Sequence, residues 1–459
     1  MSLDLIQKPL VELLKCEITD CACGKLHRIP TRETALQPGD LNTLPRLADH
    51  YFPSGPLLCV ADSNTWSAAG EKAAKLLCDY GKPIGVHFVD NFPQRAHADR
   101  KTVDELISTI RQTGTTGLIA IGSGTINDIS KSAATETACP QITVATAASM
   151  NGYTSAISAL TVDGVKVTEP CNPPVAIIAD PEILATAPGK MSGAGFGDLL
   201  SKNASTADWI LSHLLFGDYY CPLAASLAEE AITNCISKAE LIKYNHPEGL
   251  TVLIDALLRS GISMVMAGSS SPASGGEHLI SHLWDMTAHW SAREPALHGE
   301  QTGMTTLISL RLYEKLLALE PADLHRLCRQ KPEVKDQTSF TIEIRNNFRD
   351  IADMIMPFAQ EKYLSKTEVE TRRKLILSRW ENICRSVRSA VIPVKDSRDY
   401  LKTAGAAFRI SDIGISPDEM VFAYRYARWI RNRYTVLDLA AELGMLEMWE
   451  QDVLSVIAA

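Results

Sequence analysis

Three short segments combine glycine with histidine or a carboxylate in a way that could hold a divalent ion. They are Gly193-Ala-Gly-Phe-Gly-Asp198, Gly275-Gly-Glu-His278-Leu-Ile-Ser-His282 and Leu297-His298-Gly-Glu-Gln301. His278 and His282 stand four apart, so on one helix they share a face and can address a common point. Taken singly, a histidine beside glycine is more often structural. Two histidines and an aspartate with a coordination position left open are another matter. Such a set suits a catalytic ion that polarises a carbonyl and stabilises an alkoxide as hydride arrives. His289 competes as a ligand, but its neighbours Ala288 and Trp290 suggest packing.

A second constellation is Gly122-Ser-Gly-Thr-Ile-Asn-Asp128, between an apolar run and a helical stretch through Lys131 and Ala134. Backbone N–H groups in such a turn can hold a pyrophosphate, and small residues let the phosphate approach closely. A plain strand-to-helix turn explains the same residues equally well. The third glycine of the Rossmann fingerprint is missing and the motif follows the third candidate strand, so a different nucleotide fold is implied. Asp62, at the end of the first strand, is placed to accept from a ribose hydroxyl or to cap a helix. Thr146-Ala-Ala-Ser149 brings two more hydroxyls to the same sheet edge.

The cysteine cluster Cys21-Ala-Cys23-Gly-Lys-Leu-His27 has spacing compact enough for a soft metal. No second ligand pair stands nearby, and structural zinc normally shows four ligands, so a hairpin with incidental thiols is the favoured reading. The eleven cysteines, odd in number and scattered, fit reduced thiols better than a disulfide framework.

The elements that must position these groups fall into two sets. Residues 56–62, 84–90, 117–122, 142–145 and 175–180 read as strands; 66–80 and 96–113 carry helical periodicity. Residues 157–167, with Asp163-Gly164 inside, read as a hairpin. After Pro188 the spacing is helical to the end. The expectation is an α/β domain over 1–187, mainly parallel, followed by an all-α domain over 188–459. A length of 459 residues suits two domains, and 46% hydrophobic with 22% charged residues is ordinary globular usage. Net charge is 45 − 54 = −9 with no long basic run, which argues against a nucleic-acid partner. The first eighteen residues lack a signal-peptide pattern, and no run of ~18 uninterrupted apolar residues offers a membrane span. A cytoplasmic location is expected.

Together, Gly122-Ser-Gly, Thr146-Ala-Ala-Ser-Met-Asn-Gly152, Gly197-Asp198, Glu277-His278 and His298-Gly-Glu-Gln301 resemble the sn-glycerol-1-phosphate dehydrogenase family over roughly residues 15–320. That family is related to glycerol dehydrogenase, iron-type alcohol dehydrogenases and dehydroquinate synthase. The resemblance implies a dehydroquinate synthase-like fold and metal-dependent NAD(P)H-linked reduction of dihydroxyacetone phosphate. It makes Asp198, His278 and His298 the ligands of one divalent ion, zinc in the first instance, with nickel or iron as alternatives. It gives His282 and Asn151 to the substrate, alongside Asp198. It gives Asp62, Gly122, Ser123, Gly124, Thr125, Ile126, Thr146, Ala147, Ala148, Ser149 and Ser155 to the dinucleotide. Two residues depart from the family pattern: Ser123 replaces a glycine, and Asn151 an aspartate. The second exchanges an acceptor-only group for one that also donates, which can shift substrate preference. Lys202, one turn after Asp198, is a candidate for the substrate phosphate, though a solvated lysine fits it better. The charged stretch Lys362 to Arg388 reads as a solvated face or one that meets the partner of a homodimer. Rival activities are dehydrogenation of an unphosphorylated polyol, a dehydroquinate synthase-like lyase, and a non-catalytic nucleotide-binding regulator.

Overall fold

The computed structural model describes residues 5–89, 96–162, 165–329 and 334–458. The chain forms two compact units: residues 1–199, 221–270 and 403–406 make the first, and residues 200–220, 271–402 and 407–459 the second.

The first unit is built on a six-stranded sheet. Its strands are β3 (Glu33–Ala35), β4 (Leu57–Ala61), β5 (Ile84–Phe88), β6 (Gly117–Gly122), β7 (Gln141–Ala145) and β10 (Ala176–Ile178). They lie in the order β3-β10-β7-β6-β4-β5, with every pairing parallel. β4 and β6 are apolar throughout because both sheet faces are covered. Successive residues alternate between two cores. Leu57, Cys59, Ala61, Ile119 and Ile121 pack on one side with residues of helices Leu44–Tyr51 and Glu71–Asp79. Leu58, Val60, Leu118 and Ala120 pack on the other with helices Arg100–Thr113 and Gly124–Thr137.

Two further pairs stand outside that sheet. β1 (Glu17–Ile18) is antiparallel to β2 (His27–Arg28), and β8 (Ile157–Val162) to β9 (Val165–Pro170). The second is the hairpin expected from the Asp-Gly dipeptide; Asp163 and Gly164 themselves lie outside the described residues, as does Asp90, given to a strand by the sequence. The pair β1–β2 is the hairpin expected around Cys21 to His27, whereas the edge strand β3 was not read from the sequence.

Helix Pro247–Ala267, also in this unit, is long and apolar enough in composition to cross a membrane, although Glu248, Asp255 and Arg259 interrupt its apolar run. Of its apolar window, 78% is buried inside the protein, as in a core helix. Its Arg259 pairs with Asp255 at 2.6 Å and donates to the carbonyls of Ile6 and Lys8.

In the second unit, all regular structure among the described residues is helical. Helices Gly276–Thr287 and His298–Leu317 carry the histidines. The charged stretch near the C-terminus is less solvated than its composition suggests. Helix Lys366–Arg388 buries Val369, Arg373, Ile376, Trp380, Ile383 and Val387 along one face. Lys362 is a buried ion-pair partner: its Nζ lies 2.8 Å from Asp438, which also meets Arg428 Nε at 3.0 Å and accepts from Thr435 N at 2.9 Å.

Burial acts against the Asp438 carboxylate, but Lys362 and Arg428 more than offset it and hold its pKa below the usual value. A group depressed on folding contributes stability that is present above its unfolded pKa of about 3.9 and is lost as pH falls through the folded value. Burial pulls the Lys362 amine down as well, so this partner resists charge while the carboxylate favours it. Asp438→Asn is expected to cost about 3–5 kcal/mol in urea unfolding near neutral pH, because it strands a buried cation. That deficit should narrow below about pH 4.

Candidate active site

Chain order reverses around β4: the next strand, β5, lies on one side and β6 on the other. In open α/β sheets the crevice beyond the carboxyl ends at such a point collects ligands. Three groups of expected residues end up at the carboxyl ends of the adjacent strands β4, β6 and β7. Asp62 follows β4, where its Oδ1 accepts from Thr65 N at 2.8 Å, so the capping role is filled. Gly122 ends β6, and residues 146–149 follow β7. Thr146 N donates to Gly122 O at 3.2 Å, and the hydroxyls of Ser123 and Ser149 lie 2.6 Å apart, tying the two turns together. The fourteen-residue helix Gly124–Thr137 begins there with no side chain capping its first turn, leaving N–H groups and the positive end of the dipole for an anion.

Not every expected cofactor residue exposes its side chain. Ile126 is buried in the core, and a Cβ on Gly122 would meet it at 2.4 Å. Ala147 and Ala148 are buried. Ser155 lies in a network around Lys131, a fully buried lysine that sequence reasoning passed over. Lys131 Nζ donates to Gly152 O (2.9 Å), Ser155 Oγ (3.2 Å) and Ile157 O, and pairs with Asp128 at 3.2 Å. Asn127, between Gly152 O, Gln141 and Thr143, fixes the same segment from beside it.

That segment includes Asn151, and the first unit also contains Asp198. Asn151 N donates to Asp198 Oδ2 at 2.9 Å, while Asn151 Nδ2 donates to Ser260 Oγ at 3.0 Å. Asp198 sits in helix Gly189–Leu200, whose glycines permit close approach: a Cβ on Gly195 would lie 1.9 Å from Ala148 O.

In the second unit three imidazoles converge. Ring centroids are 5.0 Å apart for His278 and His298, 5.7 Å for His282 and His298, and 5.9 Å for His278 and His282. His278 Nδ1 lies 2.8 Å from Glu277 Oε1, which also accepts from Gly275 N at 2.8 Å. Behind Glu277 lies Asp208, which takes hydrogen bonds from the Tyr313 hydroxyl, Gly276 N and Val436 N. Burial pushes both carboxyls up, and for Asp208 the Glu277 charge adds to it. Lys202 and Arg433 lower Glu277 in opposition. The solvated reading of Lys202 is corrected: it is fully buried, donating to Ser201 Oγ and Ala273 O. His289 lies outside the cluster and is also no packing residue, since it is half-exposed and pairs with Asp350 at 2.7 Å.

A parallel nucleotide-type sheet joined to a helical unit with clustered histidines defines a class. Residues 35–188 match the family model described as iron-containing alcohol dehydrogenase. Among solved structures, a probable glycerol dehydrogenase from Sinorhizobium meliloti shares the fold at TM-score 0.60 and 15% identity, over 92% of this chain and 98% of its own. A sulfoacetaldehyde reductase from Bifidobacterium kashiwanohense, solved with NAD+, does so at TM-score 0.58 and 15% identity, over 94% and 98%. Sequence relatives narrow the class. A glycerol-1-phosphate dehydrogenase (NAD(P)+) of Halalkalibacterium halodurans is 35% identical over 313 residues, 66% of this chain and 76% of the relative. Another, from Bacillus velezensis, is 31% identical over 392 residues, 84% of this chain and 85% of the relative. The chain belongs to the glycerol-1-phosphate dehydrogenase family. NAD(P) and a divalent metal fit that family.

Gly195→Ala tests the packing of Asp198's helix on residues 146–149. Overpacking of this kind costs about 1–3 kcal/mol. Because the added carbon displaces Ala148, the variant should also bind NADH more weakly in a fluorescence titration. Normal affinity in a destabilised variant would show that the turn after β7 does not contact the dinucleotide.

Proposed function

We propose that this chain catalyses the metal-dependent, NAD(P)H-linked reversible reduction of dihydroxyacetone phosphate to sn-glycerol 1-phosphate. The observation that carries the reading is the convergence of His278, His282 and His298 behind a buried Glu277 anchor, in a chain whose relatives bear that activity in their names. Residues 1–187 would bind dinucleotide and residues 188–459 metal and substrate, in a homodimer.

The donor set fits a divalent ion. Asp198 offers a carboxylate oxygen, and His278 and His298 offer imidazole nitrogens. A histidine whose Nδ1 is held by a carboxylate has its tautomer fixed and its other nitrogen made a better donor. Zinc is the first choice, with nickel or iron as alternatives. When bound, such an ion supplies Lewis acidity toward a carbonyl oxygen.

The chain's own residues supply the rest. Residues 122–126 and the N-terminus of helix Gly124–Thr137 hold the pyrophosphate, and Asp62 a ribose hydroxyl. Residues 146–149 line the dinucleotide. Ser155 supports them through the Lys131 network. His282, whose ring lies beside those of His278 and His298, delivers the proton to the alcohol oxygen. Asn151, whose amide nitrogen is engaged by Ser260, turns a carbonyl oxygen to substrate, an acceptor like the family's aspartate but without its charge.

Protein purified anaerobically and loaded with zinc, nickel or iron should oxidise NADH or NADPH with dihydroxyacetone phosphate, and chiral analysis should give sn-glycerol 1-phosphate. Asp198→Ala and His278→Ala should lose bound metal and turnover together. Turnover that survives both losses would sink the ligand assignment. Glu277→Gln should weaken metal binding about 10–100-fold, read by competition with a chromophoric chelator. One observation favours a second reading, dehydrogenation of an unphosphorylated polyol: Asn151 stands where the family has aspartate. Faster turnover of dihydroxyacetone than of its phosphate would carry that alternative.

A further inference from the structure

The first unit holds a second cluster of metal-type donors with no part in the reaction above. Cys21, Cys23 and His27 come from the β1–β2 hairpin, and Cys221 from 200 residues further along the chain. The four donor atoms lie within 4.8 Å of one another. Cys21 Sγ and Cys221 Sγ are 3.7 Å apart, and His27 Nε2 is 3.2 Å from Cys23 Sγ and 3.6 Å from Cys221 Sγ. A tetrahedral ion with zinc–sulfur bonds of about 2.3 Å and a zinc–nitrogen bond of about 2.0 Å needs sulfur–sulfur separations of ~3.8 Å and sulfur–nitrogen separations of ~3.5 Å. A disulfide, in contrast, needs sulfurs about 2.05 Å apart.

We propose that Cys21, Cys23, His27 and Cys221 form a structural zinc site that fastens the N-terminal hairpin to helix Pro222–Ile236. The hairpin turns tightly between its ligands. Gly24, at φ +77°, adopts a conformation that side chains resist, and its N–H closes on Cys21 O at 2.9 Å. Cys221 caps its fifteen-residue helix, with Sγ accepting from Ala224 N at 3.4 Å, so a thiolate there faces the positive end of the dipole. His27 is buried among these sulfurs. Four protein ligands fill a tetrahedral shell and leave no position for substrate, as in structural zinc sites. Binding sends three thiol protons to solvent and leaves one net negative charge, which the helix terminus offsets. The sequence motif showed three of these ligands; the fourth is supplied by the fold.

Cobalt distinguishes this site from the catalytic one, because thiolate-to-cobalt charge transfer in the near ultraviolet cannot arise from carboxylate and imidazole. The full-length chain refolded or expressed with cobalt should show that band. It should persist in a His278→Ala, His298→Ala double variant and disappear in Cys221→Ser. Zinc analysis should show one equivalent retained in the histidine variant and none once Cys221→Ser is added to it. If Cys221→Ser does not fold, titrating the unmutated protein with a mercurial should release that equivalent as thiols are blocked. Absence of the cobalt–thiolate band in folded protein, zinc retained by a soluble variant that combines Cys221→Ser with the two histidine substitutions, or a Cys21–Cys221 disulfide in non-reducing mass spectrometry would overturn the proposal.

Discussion

A charge buried in protein must be met by partners, and in each unit taken by itself that requirement fixes the segments that carry the candidate functional residues. Asp208, almost wholly buried, draws the backbone N–H of Gly276 and of Val436 and the hydroxyl of Tyr313 to one carboxylate. Two of those donors open helices, and one of these helices carries His278 and His282. Their position therefore depends on a residue without chemistry of its own. Glu277 adds a second buried carboxylate, answered by Lys202 and Arg433. Gly275 has room for no side chain: a Cβ there would meet Asp208 at 2.5 Å and Glu277 at 2.8 Å. Lys131 plays the corresponding part in the first unit with a positive charge, gathering carbonyls from the segment that carries Asn151.

These anchors explain what the sequence could and could not disclose. Strands β4, β6 and β7 were legible because a parallel strand covered on both faces is a short apolar run. The glycine turn after β6 and the four-residue spacing of His278 and His282 were legible because both are local. β3 was not: it is a three-residue edge strand of Glu, Thr and Ala whose partner β10 lies far along the chain. Lys202 and Lys362 read as surface residues because lysine is almost always one, Lys131 drew no reading at all, and only their partners make the burial of the three tolerable. Asp208 carried no signal, since Tyr313 and Val436 reach it from helices far along the chain.

The same reasoning separates two kinds of glycine in the functional segments. Gly195 and Gly261 are required by close approach: Cβ atoms there would collide with Ala148 O at 1.9 Å and with Thr154 Oγ1 at 2.1 Å. Helices Gly189–Leu200 and Pro247–Ala267 thereby press against the backbone that follows β7. Gly189 meets nothing within 4 Å and serves only the entry to its helix. Glycine in a motif can thus signal packing as readily as phosphate recognition, which is why the turn at Gly122 had two readings.

The division of the chain also bears on how the protein is made. The first unit is left at residue 199 and resumed at 221, so its N-terminal hairpin cannot find Cys221 until 200 further residues exist. At translation rates of about 5–20 residues per second, that interval is roughly 10–40 s. During it the sheet can assemble behind the ribosome, while helix Pro222–Ile236 is still unborn and a stretch of the second unit, residues 200–220, has already emerged. The two units therefore cannot mature in strict succession, and the nascent hairpin spends those seconds with its cysteines exposed to the redox state of its surroundings.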